Sequence, residues 1–147
     1  DWIVLATGST GTQAGLVAGL HQLGYQGSVL GVSVRQPRDK QINAVHSLCQ
    51  RTLTKLGVDD EIPVSKIKVD DGYVGGGYGI PANSTLEAIT IAARYEGLLL
   101  DPVYSGKGFA GMLGMARADF FKPTDKVLFL HTGGSSALFA YEDVIVS

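Results

Sequence analysis

The sequence predicts an α/β fold: a three-layer open sheet, largely parallel, with helices on both faces. Three observations carry this reading. Trp2–Ala6, Ser28–Val34 and Lys126–His131 read as buried core strands. Stretches with apolar residues at helical spacing lie between them, and the strands run out into small, polar, glycine-rich loops. The 147 residues suffice for a real core, and 1–147 is read as a single domain.

Each element follows in order. The apolar run Trp2–Ala6 gives way to a small-residue turn, Thr7 to Thr12, which opens into a helix through Leu16, Val17, Ala18 and Leu20 that stops near Gly24. Ser28–Val34 is the second strand, and Arg35–Asp39 is a polar loop broken by Pro37. Ile42, Val45, Cys49, Leu53 and Leu56 lie close to one face of a helix from Lys40 to Leu56, ended by Gly57. Val64–Val69 alternates apolar and charged residues, as a strand with one exposed face does. A glycine-rich loop follows, Asp70 to Pro81, and such loops in compact domains are commonly functional or mobile. Asn83 or Ser84 is expected to cap the next helix, with Glu87 in capping-box position, and that helix runs to about Glu96. The apolar segment Leu98–Val103 leads into a helix from Lys107 to Phe121, and then comes the strand Lys126–His131. Leu138–Val146 is expected to return along the sheet edge.

Composition narrows the function. The chain is 45% hydrophobic and 18% charged, which is ordinary for a globular protein and wrong for a disordered one. Its net charge of −2 supplies no basic excess for nucleic acid or an anionic membrane. One cysteine, Cys49, excludes an intrachain disulfide and suits a reducing compartment. It lies on a helix's apolar face, as a buried structural thiol does. With no run long enough to span a bilayer, the cytoplasm is the expected compartment. Asp1 is followed at once by a core strand, which suggests a chain that begins inside something larger.

The chemistry is concentrated in the first turn. Unpaired amides at a helix N-terminus, together with the helix dipole, attract an anion. Gly8 and Gly11 let the backbone approach a phosphate, and Ser9, Thr10 and Thr12 add hydroxyl donors. The plain alternative is an ordinary glycine-rich turn. Gly8–Thr12, Gly72–Gly79 and Thr132–Ser136 all leave strand ends, where open α/β sheets bind ligands. A dinucleotide site lacks its G-x-G-x-x-G spacing and its acidic residue; Arg35 at the end of the second strand keeps an NADP-type domain open. No zinc motif or G-K-[ST] occurs. His21, His46 and His131 lie in separate elements, which leaves a catalytic triad unsupported. His46 reads as a solvated or satisfied histidine.

Four segments in order carry a more specific signal: Thr7–Gly15, Gly77-Tyr78-Gly79-Ile80-Pro81, Leu100-Asp101-Pro102-Val103-Tyr104-Ser105-Gly106-Lys107-Gly108, and His131-Thr132-Gly133-Gly134. Together they resemble the pyridoxal-phosphate enzymes of the tryptophan synthase β-like fold, in the branch of D-cysteine desulfhydrases and 1-aminocyclopropane-1-carboxylate deaminases. The resemblance implies pyridoxal 5′-phosphate as cofactor, with Gly8, Ser9, Thr10, Gly11 and Thr12 forming the phosphate cup. It places the Thr132 hydroxyl against the pyridine nitrogen, which leaves that nitrogen largely unprotonated and weakens the ring as an electron sink. Tyr78 and Tyr104 become the active-site tyrosines that face a small amino-acid substrate and assist proton transfer. Read alone, each would be an amphipathic residue at the core edge.

Two departures choose the branch. The deaminases have a leucine before the final Gly-Gly and a glutamate after the Pro-Val-Tyr tyrosine; here these positions are Thr132 and Ser105. Both favour the desulfhydrase side. The family's cofactor-bearing lysine stands upstream of the phosphate cup. Only six residues precede Thr7, none of them lysine, and Lys107 matches a non-catalytic position. The resemblance therefore implies the C-terminal part of such an enzyme, inactive alone and prone to self-associate or to join an N-terminal portion. A phosphate-binding module without chemistry is the competing class.

Overall fold

The computed structural model describes residues 1–145, and the sheet is as the sequence predicts. Four parallel strands, β1 (Trp2–Thr7), β2 (Ser28–Ser33), β3 (Lys68–Asp70) and β4 (Val127–Leu130), stand in the order β3-β2-β1-β4. β1 pairs with β2 from Trp2 opposite Ser28 to Thr7 opposite Ser33, and with β4 from Trp2 opposite Val127 to Leu5 opposite Leu130. The chain builds outward from β1 to β3 and then returns to β1's other side for β4. The switch in strand order therefore falls between β1 and β4, and the crevice beyond their carboxyl ends is where this topology binds ligands.

Side chains alternate across β1 and divide the core in two. Leu5 joins Ala14, Val17 and Ala18 of α1 (Gly11–Gln22) and Val45, Cys49 and Leu53 of α2 (Arg38–Lys55) on one face. Val4, with Leu30 and Val32, packs on the other against Met115 of α4 (Ser105–Arg117). Beyond them α3 (Asn83–Ile91) closes a third cluster through Ala88, Ile89, Leu100 and Phe109. Cys49 is the buried thiol expected: it donates to the Ala14 carbonyl at 3.4 Å, and burial pushes its pKa up to about 11. His46 is a satisfied histidine, bonded through Nε2 to the Ile62 carbonyl at 2.8 Å.

Several local expectations give way. Val64–Lys66 is a single 3-10 turn after Pro63, and only Lys68–Asp70 pairs with β2. Val64 is exposed, so the alternation came from a turn with an outward valine. The capping box does not form: the cap position is Ala82, without a side-chain bond. Glu87 is instead gripped by both guanidinium nitrogens of Arg117 on α4, at 2.7 and 3.1 Å, a better partner for a carboxylate than a single amide. After α3 the chain winds one π-turn, Ala92–Glu96, which ends on Gly97. α4 begins at Ser105, two residues earlier than expected, because a carboxylate below caps it. The tail is not an edge strand: Ser135–Tyr141 is 3-10 and Glu142–Ile145 is a short helix, α5, while Val146 lies outside the described residues.

α4 lies close on β1. A Cβ built on Gly108 would stand 2.9 Å from both the nitrogen and the Cβ of Ala6. Overpacking of this kind against backbone costs about 1–3 kcal/mol. Gly108→Ala is expected to lower stability by that amount in urea unfolding, with an unchanged dependence on denaturant.

Candidate active site

The first turn of α1 is built to leave its amides free. The first intrahelical bond runs from the Ala14 N–H to the Thr10 carbonyl at 2.9 Å, so the N–H groups of Gly11, Thr12 and Gln13 have no acceptor within the helix. No side chain caps this end and no acidic residue lies in its first turn. Thr10 holds φ at 71°, a left-handed conformation that costs a threonine about 1–3 kcal/mol and that recurs where a ligand is clamped. Gly8 is buried under the turn, while Ser9, Gly11 and Thr12 are exposed at its mouth. Free amides, nearby hydroxyls and a positive helix end without a carboxylate together fit a phosphate.

The turn rests on buried amides. Gln41 donates from Nε2 to the Thr7 hydroxyl at 2.9 Å, and Gln13 donates to the Lys68 carbonyl at 2.8 Å. Gln41 thereby ties α2 to the carboxyl end of β1, and Gln13 ties the first turn of α1 to the start of β3.

Asp101 organises the second part of the site. Its side chain is buried, and its carboxylate accepts the backbone N–H groups of Val103, Tyr104 and Ser105 at 2.9, 2.8 and 2.8 Å, and the Ser105 hydroxyl at 2.6 Å. An anion on the first amides of α4 is the complement that a helix N-terminus requires. Across from it Gly134, at φ 101°, passes so close that a Cβ there would collide with the Asp101 carboxylate. The same residue therefore seats α4 and the loop after β4.

Tyr104, so held, points its phenol back over the end of β1, where it donates to the Ala6 carbonyl at 2.9 Å. Burial raises its pKa above the usual tyrosine range. A hydrogen bond from Thr132 opposes that rise, and the nearby Tyr78 phenol and Asp101 carboxylate add to it. Tyr78 and Thr132 lie near enough to act on the Tyr104 phenol, and the ring edge of Tyr104 lies 3.6 Å from where a Cβ on Gly8 would be. The turn with free amides and the Tyr104 phenol thus stand side by side at the β1–β4 switch. Arg35 follows β2, away from that switch.

One residue that sequence reasoning set aside is central to the arrangement. Lys107 is fully buried, and its ammonium donates to the carbonyls of Val74 and Gly77, both at 2.6 Å. Desolvation lowers its pKa. Its position inside the glycine-dense start of α4 is the signal that could have marked it as interior.

The family model for pyridoxal-phosphate dependent enzymes matches residues 1–133. The chain belongs to that family, whose cofactor is pyridoxal phosphate. A D-cysteine desulfhydrase of Yersinia pestis (strain Pestoides F) is 44% identical over 139 residues, 95% of this chain and 42% of that protein. One from Yersinia enterocolitica is 43% identical over the same length. A crystal structure of an ACC deaminase homologue superposes with a TM-score of 0.85 at 34% identity, covering 99% of this chain and 43% of that one. The chain thus spans less than half the length of these relatives. The family match displaces the dinucleotide alternative. Among the described residues no helix is long and apolar enough to cross a membrane.

Two outcomes are expected. Asp101→Asn turns an amide N–H₂ toward buried donors and leaves at least one unsatisfied, at a cost of about 1–3 kcal/mol in denaturant unfolding. As pH rises, an unfolded Tyr104 loses its proton before the folded one does, so this residue's contribution to stability falls through the ordinary tyrosine range and is lost above it. In a phenolate absorbance titration, Tyr104→Phe should remove a component that ionises above the ordinary tyrosine range.

Proposed function

We propose that this chain forms the cofactor phosphate and ring-binding part of an enzyme that acts on a small D-amino acid such as D-cysteine. The reaction is α-proton loss and β-elimination, which releases sulfide and, after water adds, pyruvate and ammonia. One observation carries the reading: the Tyr104 phenol stands over the end of β1, with its ring edge beside Gly8, next to an uncapped helix start whose donors fit a phosphate.

When bound, pyridoxal phosphate supplies the electron sink for carbanion chemistry. The chain's own residues do the rest. Gly8 to Thr12 would hold the phosphate with backbone N–H groups and hydroxyls. Thr132, a neutral hydroxyl, meets the pyridine nitrogen without protonating it. Tyr104, kept neutral by burial, can give and recover a proton at its phenol oxygen. The more exposed Tyr78 faces the substrate side of the same mouth. The D-cysteine desulfhydrase relatives, and Thr132 and Ser105 in place of leucine and glutamate, support elimination over deamination.

The lysine that carries the cofactor belongs to sequence before the cup, so the 147-residue chain alone is inactive. Lys107 does not substitute, because both short bonds of its ammonium go to carbonyls. The chain's partners are a copy of itself or the N-terminal portion, and its compartment is the cytoplasm.

The test is a pair of assays with D-cysteine. The protein including its upstream region should form pyruvate, and Tyr78→Phe and Tyr104→Phe should each lower kcat about 10²–10⁴-fold. The chain alone should bind the cofactor, with inorganic phosphate competing, and form none. Pyruvate from the chain alone would overturn its assigned inactivity. No cofactor binding, or no turnover by the longer protein, would overturn the assignment itself.

A further inference from the structure

The loop that carries Tyr78 has almost no regular structure of its own. Gly75, Gly77 and Gly79 all hold positive φ, at 67°, 142° and 79°, and the turn Gly77–Ile80 closes on one backbone bond of 3.2 Å. Chain this rich in glycine loses much conformational entropy on ordering and needs outside anchors.

Two of its anchors flank Tyr78, one on each side. On the near side, the buried Lys107 ammonium reaches from α4 to the carbonyls of Val74 and Gly77 at 2.6 Å. On the far side, the Tyr141 hydroxyl, from the 3-10 segment after β4, donates to the Gly79 carbonyl at 2.8 Å. The carbonyls flanking Tyr78 in sequence are thus each held by a side chain from a different element. Among the described residues no carboxylate pairs with Lys107, so carbonyl oxygens alone compensate its charge. Leaving such a group buried is costly unless its donors are used. An apolar residue would fill the space more cheaply, and what lysine adds is a grip on these two carbonyls.

We infer that Lys107 and Tyr141 are positioning residues: by fixing Gly77 and Gly79 they set where the Tyr78 phenol stands relative to Tyr104 and Thr132. This rests on the role proposed above for Tyr78. Tyr141 lies beyond the segment matched by the family model. The C-terminal segment therefore reaches the site through backbone without entering it.

The experiment compares the wild-type chain with Lys107→Met, which keeps the stem and removes the donors, and Tyr141→Phe, which removes one hydroxyl. Amide exchange is read at residues 74–80, with β1 and β2 as the control for the fold. A fluorine-labelled Tyr78 is followed on adding inorganic phosphate and then pyridoxal phosphate. Both variants should exchange at least tenfold faster at 74–80 with β1 and β2 unchanged. Gly11 and Thr12 should still respond to inorganic phosphate, while the Tyr78 response to pyridoxal phosphate seen in wild type is lost. Unchanged exchange at 74–80 in both variants overturns the inference. Should Lys107→Met unfold β1 and β2, Tyr141→Phe decides alone. A wild-type chain that ignores both ligands counts against the cofactor reading, and the anchoring is then judged by exchange, which needs no ligand.

Discussion

The site depends first on a buried carboxylate with nothing but hydrogen-bond donors around it. Asp101 accepts three backbone N–H groups and a hydroxyl at the start of α4. That one group fixes where α4 begins, turns Tyr104 over the end of β1, and leaves room across from it only for a glycine at 134. Because α4 is set in register there, Lys107 enters the interior at the height of the glycine-rich loop. A charge buried with its donors satisfied acts as a locating pin: moving any partner exposes an unmet demand.

The second dependence is topological. Since β4 joins the far side of β1, the α1 turn and the loop after β4 open into the same crevice. One loop brings the helix end suited to a phosphate and the other brings Thr132. Tyr104 comes from a third element and Tyr78 from a fourth. No local motif contains the site; the sheet order assembles it.

The sequence made the strands at 2–7, 28–33 and 127–130 legible because each is a core run with a clean turn after it. The turn before α1 was legible for a similar reason: small residues between an apolar strand and a helix mark an open helix start. Thr132 and the tyrosines became visible only through the family resemblance, since a lone tyrosine at a core edge carries no local signal. The capping box failed because the helix starts earlier, at Asn83 with Ala82 as its cap, and Glu87 bonds Arg117 thirty positions away, a partner that spacing along one helix cannot register. The tail's apolar pattern misled for the opposite reason, as Ser135–Tyr141 follows Gly134 into a tight turn that periodicity alone does not reveal. Lys107 was set aside because it begins a helix and matches a non-catalytic lysine of the motif, and only the fold shows the carbonyls that make its burial tolerable.

On the proposed function, one mouth at the β1–β4 switch holds the phosphate and the pyridine ring together. The most direct measurement is a crystal structure of this chain grown with pyridoxal 5′-phosphate. The account predicts phosphate oxygens on the N–H groups of Gly11, Thr12 and Gln13, and the ring nitrogen within hydrogen-bond reach of the Thr132 hydroxyl. A phosphate bound elsewhere, or a ring nitrogen turned away from Thr132, would contradict it.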